Sequence, residues 1–167
     1  MFRHCPQCGS INFRWDDKKR FDCTDCGFRF YINAIAAVAA LIENPEGRLL
    51  VTRRAREPAK GSLDLPGGFI DIGETAEQAL RREIREELNL DIIQTRYFMS
   101  SPNRYEYAGM LYFTLDLAFQ CRVSDFDGLR AGDDADECMF LEKTHVRPEE
   151  FGLESIRHIL RHAVCVE

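Results

Sequence analysis

The apolar and polar positions along the chain predict a domain built from both strands and helices. Short apolar runs bounded by turn residues predict five strands, at residues 34–43, 48–54, 92–99, 110–121 and 138–141. Apolar residues at helical spacing predict two helices, at residues 75–88 and 149–163. Strands and helices in this order suit a mixed sheet that is flanked by helices.

The helix predicted at residues 75–88 carries the clearest pattern in the chain. Its apolar stripe repeats at every fourth position and consists of Ala76, Leu80, Ile84 and Leu88. Thr75 followed by Gln78 predicts a capping box at its start. Asn89, a residue that tolerates the left-handed conformation, predicts its end. One face of this helix should therefore be buried.

Three glutamates lie beside that apolar stripe. Glu83, Glu86 and Glu87 occupy positions i, i+3 and i+4, so their carboxylates project from one face of the helix. On an isolated helix, like charges at this spacing cost about 0.2–0.5 kcal/mol per pair. A hard divalent cation such as Mg2+ or Mn2+ would reverse that cost. Taken alone, however, such a run is more often a solvent-facing helix flank.

The residues around these glutamates change that balance. Together with Gly68, Glu74 and Arg82 they fall at the spacing G-x5-E-x7-R-E-U-x-E-E-x-x-U, in which U is an apolar residue. In this pattern the chain resembles the Nudix hydrolases. Every fixed position of the Nudix box is present except the late glycine, which is Asn89 here. The resemblance implies an α+β fold, in which a mixed β-sheet is sandwiched between helices.

The resemblance also implies a reaction and a metal site. Nudix hydrolases cleave a nucleoside diphosphate linked to another moiety, and metal ions neutralise the charge while water attacks phosphorus. By position, the implied Mg2+ or Mn2+ ligands are the carboxylates of Glu83, Glu86 and Glu87. The carbonyl of Gly67 is an implied additional ligand. No covalent nucleophile is needed.

Two further roles follow from the resemblance. Glu74 and Arg82 resemble the structural ion pair of the box, which holds the loop to the helix. The general base is implied to be either a glutamate of the box or an acid in a later loop. In that loop we favour Glu137, three residues before Phe140. The alternative is a merely solvated turn, since the same loop also contains Asp133, Asp134 and Asp136.

A second motif lies near the N-terminus. Its spacing is C-x2-C-x14-C-x2-C, formed by Cys5, Cys8, Cys23 and Cys26. Two such pairs are typical of knuckles that hold one tetrahedral Zn2+. A disulfide pair or an iron site could use the same cysteines. Because four thiolates leave no open position for water, we expect the zinc to be structural.

A module of about thirty residues cannot bury enough surface to fold unaided, so the metal would supply most of its folding free energy. We therefore expect a zinc ribbon over residues 1–32, followed by a Nudix hydrolase domain over residues 33–167. A nucleic-acid-binding ribbon is the functional alternative, because this segment contains Arg3, Lys18, Lys19, Arg20 and Arg29. Four nearby aspartates nearly cancel that charge, namely Asp16, Asp17, Asp22 and Asp25.

The overall composition restricts the partners. The chain of 167 residues has a formal net charge of -6 and a pI near 5.3, which opposes binding driven by a nucleic-acid backbone. The richest apolar run, residues 34–42, is too short to span a membrane. The chain shows no signal peptide, and its other cysteines are scattered in apolar segments. We therefore expect a cytoplasmic protein with reduced cysteines, the scattered ones being Cys121, Cys138 and Cys165.

The substrate is less well marked. A zinc ribbon before a Nudix domain resembles the NADH pyrophosphatases, but their S-Q-P-W-P-F-P-x-S array is replaced here by residues 100–109, which keep only a serine and a proline. That segment offers Tyr105 and Tyr107 for stacking on a base and Arg104 for a phosphate. Arg53 and Arg54 are further candidate phosphate contacts. The alternatives are tyrosines packed under a loop and arginines that are simply exposed.

Two hypotheses of different class remain. The first is a Mg2+-dependent pyrophosphohydrolase acting on NAD(H), ADP-ribose, a nucleotide sugar or a similar small nucleotide. The second is a catalytically silent Nudix sensor or a zinc-ribbon regulator that binds nucleic acid. Loss of Glu86 or Glu87 would have favoured the second, and both are present. The resemblance allows a homodimer.

Overall fold

The structure, a computed structural model, describes residues 2–17, 19–132 and 135–164, with the side chain of Ala135 excepted. Four residues discussed above lie outside the described part, namely Lys18, Asp133, Asp134 and Cys165. Contacts between Cα atoms divide the chain into two compact units, Met1–Ala34 and Ile35–Glu167.

The first unit is a small antiparallel sheet with an aromatic core. Its strands are β1 (Phe13–Trp15), β2 (Arg20–Cys23) and β3 (Arg29–Tyr31), in that spatial order. The rings of Phe13 and Phe21 stack with centroids 5.1 Å apart. Cys5 and Cys23 are buried with them. These strands of three or four residues are too short to show an alternating pattern, so the sequence did not predict them.

The second unit contains two three-stranded sheets. The first sheet has the order β4-β8-β7, with β4 parallel to β8 and β7 antiparallel to it. The second sheet has the order β6-β5-β9 and is antiparallel throughout. The six strands are β4 (Ile35–Ile42), β5 (Leu49–Arg54), β6 (Leu63–Asp64), β7 (Ile92–Tyr107), β8 (Met110–Val123) and β9 (Ala135–Leu141).

Two helices complete this unit, α1 (Ala76–Leu88) and α2 (Glu154–Val164). Two single-turn 3-10 segments, Lys143–His145 and Pro148–Glu150, precede α2. Within the described residues no helix is both long and apolar enough to cross a membrane.

The ends of α1 follow the sequence prediction. The Thr75 hydroxyl accepts from the Gln78 amide at 3.2 Å, and the Gln78 side chain accepts from the Thr75 amide at 2.8 Å. Asn89 ends the helix in the left-handed conformation, with φ of 55°. Both the capping box and the end of the helix are therefore confirmed.

Strand β4 shows why the sheets lie between the helices. Val38, Ala40 and Ile42 pack in the same apolar cluster as Leu80, Ile84 and Leu88 of α1. Ala39 and Leu41 point the other way, into the cluster that contains Ile156, Ile159 and Leu160 of α2. Because successive strand residues face opposite sides, one continuous apolar run supplies both cores. This arrangement confirms the predicted α+β class.

Three boundaries differ from the prediction by three residues or more. Strand β7 continues to Tyr107, because residues 100–107 pair with β8 up to a turn at Ala108 and Gly109, both with positive φ. Strand β9 begins at Ala135 instead of Cys138. Helix α2 begins at Glu154 instead of Glu149, since the preceding proline and glycine interrupt the helical pattern.

Candidate active site and metal centre

The loop before α1 is fixed against the edge of β4. The Val38 amide donates to the Gly68 carbonyl at 2.8 Å, and the Ala40 amide donates to the Pro66 carbonyl at 2.8 Å. Gly67 has φ of +145°, and a Cβ at this position would lie 2.1 Å from the Val38 carbonyl oxygen. The loop can therefore approach β4 only with glycine at position 67.

Gly68 allows a second close approach, to a carboxylate of α1. A Cβ at this position would lie 2.5 Å from the Glu83 carboxylate. The absent side chain thus leaves room for Glu83 directly against the loop backbone.

Glu74 and Arg82 form the ion pair predicted from the resemblance. Arg82 Nε and Nη2 each donate to one oxygen of Glu74 at 2.8 Å, which is the bidentate geometry. Arg82 Nη2 also donates to the Phe69 carbonyl at 3.0 Å. Hydrogen bonds from Arg82 and from the Asp71 amide lower the pKa of Glu74 to about 2. The guanidinium therefore ties the loop to the middle of α1.

The three glutamates of α1 have different environments. Glu87 is 9% exposed and accepts from the Gly67 amide at 3.0 Å. Glu83 accepts from Arg82 Nη1 at 2.8 Å, and the same nitrogen lies 3.3 Å from the exposed Glu86. This oxygen donor set, beside a backbone held close by two glycines, fits a hard divalent cation.

The chain after β8 supports the end of α1. The Gly132 amide donates to the Glu87 carbonyl at 2.8 Å, and the Arg130 amide donates to the Leu88 carbonyl at 3.3 Å. The Asn89 side chain donates to the Gly128 carbonyl at 3.0 Å. The first two bonds satisfy carbonyls that a helix C-terminus leaves unpaired, and the third ties the residue that ends the helix to the same segment. Sequence reasoning missed this support, because it joins residues about forty positions apart.

A cavity of about 710 Å³ opens beside the glutamates. A volume of this size is typical of small-ligand sites. Both sheets and both helices line it, and Glu83 and Glu87 lie on its wall. Five further buried polar side chains line it. One is Thr52 of β5, and we call the other four the polar floor: Asp64, Asn103, Thr114 and Asp116.

The polar floor carries two buried carboxyl groups. Asp64 pairs with Arg54 Nη1 at 2.5 Å. Asp116 accepts from the Ser155 hydroxyl. Burial raises the pKa of Asp116, and burial also raises that of Asp64, although Arg54 opposes the second shift. The sequence signal for this floor is the alternation of polar residues along β8, at Tyr112, Thr114 and Asp116. They were not among the predicted site residues.

Aromatic rings form another part of the wall. Tyr105 and Tyr112, paired across β7 and β8, stack with centroids 5.6 Å apart and an interplanar angle of 10°. Tyr107 meets Tyr112 edge-on at 6.3 Å. All three line the cavity. An aromatic surface of this kind suits a planar ring.

The structure brings some predicted site residues to the cavity and not others. Arg54 lines it, with its guanidinium committed to Asp64 and to the Pro58 carbonyl. Arg53 lies in the same strand but binds Glu137 at 3.2 Å and the Gly61 carbonyl at 2.9 Å. Four residues that were predicted to act in catalysis, metal binding or substrate binding do not line the cavity in the described part of the chain, namely Arg53, Glu86, Arg104 and Glu137. Their assigned roles stay predictions.

The four cysteines of the first unit form a compact cluster. Their sulfurs all lie within 4.8 Å of one another, with Cys5 to Cys26 and Cys8 to Cys23 each at 3.7 Å. A tetrahedral zinc with bonds of about 2.3 Å separates its sulfurs by about 3.8 Å. The sulfurs are not joined as disulfides. The cluster therefore fits one tetrahedral metal ion.

One thiol of the cluster, that of Cys23, also has a lowered pKa. Desolvation raises the pKa of Cys23, but hydrogen bonds from the backbone at Cys26 and Asp25 and from the thiols of Cys26 and Cys8 together outweigh it and lower the pKa to about 7. A lowered pKa favours the thiolate, which is the form that binds metal.

Comparison with known proteins identifies the class. The family model for the NUDIX domain matches residues 34–163, so the chain belongs to the Nudix family. The NUDIX hydrolase of Nitrosomonas europaea is 21% identical, with a TM-score of 0.67 over 98% of this chain and 90% of that one. The NUDIX domain of Shewanella oneidensis NrtR, complexed with ADP ribose, is 16% identical, with a TM-score of 0.65 over 80% of this chain and 88% of that one. At these identities the two structures show the fold.

Two curated relatives have a higher sequence identity to this chain than these two structures have. The NAD-capped RNA hydrolase NudC of Vibrio atlanticus is 31% identical over 76% of this chain, and the match spans 46% of that relative. The ADP-ribose pyrophosphatase of Methanocaldococcus jannaschii is 34% identical over 77% of this chain and 74% of that relative. The chain thus spans about half the length of its NudC relative.

Proposed function

We propose that this protein hydrolyses the pyrophosphate bond of a nucleoside diphosphate linked to another moiety. The observation that carries the proposal is the shared wall of the cavity: the carboxylates of Glu83 and Glu87 line the same space as the stacked pair of Tyr105 and Tyr112. A divalent cation held by the carboxylates and a planar ring held by the tyrosines would bring the two ends of a nucleotide into one site.

The residues of the Nudix box have different proposed roles: some would bind the metal ion, and others position the loop and the helix. Glu83, Glu86, Glu87 and the Gly67 carbonyl would hold Mg2+ or Mn2+. When bound, this cation would neutralise charge on the diphosphate and favour ionisation of water. Arg82 offsets the repulsion between the carboxylates and keeps the loop at a fixed distance from α1. A box glutamate or Glu137 would accept the proton of the attacking water.

The two curated relatives indicate which substrates should be tested first. Their names point to ADP-ribose and to an NAD cap on RNA. Both contain a diphosphate that joins adenosine to a second group that contains a ribose. We therefore propose a substrate of coenzyme size, with NAD(H), ADP-ribose and nucleotide sugars first, and an RNA-linked NAD cap as an extended case.

The test is product analysis by chromatography after incubation with Mg2+ and a panel of NADH, ADP-ribose, a nucleotide sugar, a dinucleoside polyphosphate and NAD-capped RNA. We expect mononucleotide products from at least one of the first three. Removal of Mg2+ by chelation and the variant Glu86→Gln should each suppress them.

A matched variant separates loss of the metal site from damage to the helix. Glu77 lies in the first turn of α1 and is exposed, so Glu77→Gln should keep the wild-type rate. If the wild type cleaves none of these compounds, the proposed hydrolase activity is rejected and a nucleotide sensor explains the site better. Equal rates for Glu86→Gln and Glu77→Gln would reject the assigned ligand.

The first unit has a separate proposed role. Its four cysteines would hold one structural Zn2+, and this supports a ribbon over residues 1–32 before a Nudix domain over residues 33–167. The separation of the contact units after Ala34 and the start of the family match at residue 34 agree with this division. The six cysteines within the described part of the chain form no disulfide, which suits the reducing cytoplasm that we propose as the compartment.

A further inference from the structure

We propose that Asn103 and Asp116 determine which nucleobase the protein accepts, by hydrogen bonding to the polar edge of the base. This inference rests on the proposed function, because it assigns one part of the same cavity. The group to be recognised is a planar ring with a hydrogen-bond donor and an acceptor on one edge.

The first observation is an amide without a partner. Asn103 is 8% exposed, and its Nδ2 donates to no acceptor among the residues that the structure describes. It nevertheless lines the cavity. Buried polar atoms are nearly always satisfied, and one that is not destabilises the folded state. An amide that is left over on a cavity wall is therefore available to a ligand.

The second observation is an acceptor on the neighbouring strand. Asn103 lies directly opposite Thr114, and Asp116 lies two residues further along β8, on the same face. Asp116 is 5% exposed, and one of its oxygens accepts from the Ser155 hydroxyl. A carboxylate has about four acceptor positions, so this bond leaves capacity for a donor in the cavity.

The base matches the hydrogen-bonding groups of Asn103 and Asp116 better than the phosphate or the sugar of a nucleotide does. An asparagine amide pairs with the edge of adenine, and an aspartate accepts from the exocyclic amino group of cytosine. A phosphate would bring negative charge against the carboxyl groups of Asp64 and Asp116. A sugar has no flat face to lie against Tyr105 and Tyr112, which flank Asn103 and Thr114 along the same two strands. The donor, the acceptor and the aromatic surface together select the base.

The test measures binding and not turnover. The dissociation constants of AMP, GMP, CMP and UMP are measured by calorimetry in Mg2+ for the wild type, Asn103→Ala and Asn103→Asp. For wild-type protein, the dissociation constants of the weakest and the tightest of the four nucleotides should differ by at least about five-fold. In both variants this ratio should fall below about two-fold, because the amide donor is lost.

Two controls keep the result interpretable. Asn103→Asp adds a carboxyl group near Asp116 and is the variant that is more prone to misfold. Asn103→Ala removes an amide whose Nδ2 has no partner among the residues that the structure describes. Glu106→Gln changes an exposed position of the same strand and should keep the wild-type ratio.

Three results would overturn the proposal: equal affinity of the wild type for all four nucleotides, no binding of any of them, or an unchanged ratio in a folded Asn103→Ala. Failure of the proposed function is distinguishable, because wild-type protein that discriminates between bases but hydrolyses nothing retains the assignment of Asn103. Hydrolysis without base discrimination retains the enzyme and removes the assignment.

Discussion

The two candidate metal centres of this chain are built in different ways. In the first unit, four sulfurs already stand within 4.8 Å of one another. No comparable cluster forms among the carboxylates of the described residues, and Arg82 donates to Glu74, Glu83 and Glu86. A closed set of thiolates suits a structural ion, whereas spaced carboxylates beside a cavity suit an ion that also contacts a substrate.

Removal of one thiolate from the cysteine cluster should have the largest effect on either metal centre. Cys23→Ser should lower the zinc content from about one ion per chain to nearly none, because serine does not replace a thiolate ligand. Elemental analysis gives the content, and amide hydrogen exchange should show loss of protection confined to residues before Ile35. Cys138→Ser, at a free cysteine outside the cluster, should keep the metal. Full zinc content in Cys23→Ser would contradict the cluster assignment.

The next effect comes from the loop that holds the glutamates. Gly67→Ala would place a Cβ 2.1 Å from the Val38 carbonyl oxygen, and we expect it to lower the free energy of unfolding by about 3 kcal/mol or more. Denaturant unfolding measures this change. Gly73→Ala is the matched control, since Gly73 also has positive φ but has nothing within 4 Å of its Cβ position.

That control should cost only the left-handed strain, about 1–2 kcal/mol. Equal costs for Gly67→Ala and Gly73→Ala would show that the approach of the loop to β4 is not what requires glycine at position 67.

A smaller effect concerns pH and the ion pair of the box. Arg82 holds the pKa of Glu74 at about 2, against an ordinary value of 4.5. Because the pKa is lower in the folded state, the pair contributes its full stability above about pH 4.5, and this contribution is lost as the pH falls toward 2. The stability advantage of the wild type over Glu74→Gln should therefore shrink across this range.

Urea unfolding at several pH values measures this difference, and Glu77→Gln serves as the control for a glutamate that lies in the same helix. A wild-type advantage that stays constant from about pH 6 to about pH 2 would contradict the role of the ion pair.

The smallest effect is expected at the one position that departs from the Nudix box. Asn89→Gly keeps the left-handed end of α1 but removes the hydrogen bond to the Gly128 carbonyl. We expect a loss of about 0.5–1.5 kcal/mol in thermal or denaturant unfolding. Asn89→Ala should cost more, because alanine also carries the left-handed strain. A stabilised Asn89→Gly would show that the bond to Gly128 contributes nothing.

The sequence predicted the parts of the molecule that depend on local pattern. The capping box, the left-handed Asn89 and the apolar stripe of α1 each involve residues within a few positions, so spacing alone defines them. The ion pair of Glu74 and Arg82 followed from the resemblance and is present at 2.8 Å.

The parts that were missed depend on pairing between distant segments. Residues 100–107 lack the array of the NADH pyrophosphatases and lie outside the predicted strands, but β8 pairs with them and places Asn103 and Tyr105 on the cavity wall. Asp64 lies in a strand of two residues, and its partner Arg54 was assigned to phosphate. No periodicity within a single segment shows which strand will lie opposite it.

Glu87 is the most deeply buried of the three proposed metal ligands on α1, and its carboxylate accepts from the Gly67 amide at 3.0 Å. The deciding measurement is the rate of diphosphate cleavage in Mg2+ by wild-type protein, Glu87→Gln and the control Glu77→Gln. We predict a loss of about 100-fold or more in Glu87→Gln, with unchanged rate in the control and unchanged binding of the preferred mononucleotide. A folded Glu87→Gln that cleaves within about three-fold of the wild type would contradict the assignment of this helix as the catalytic metal site.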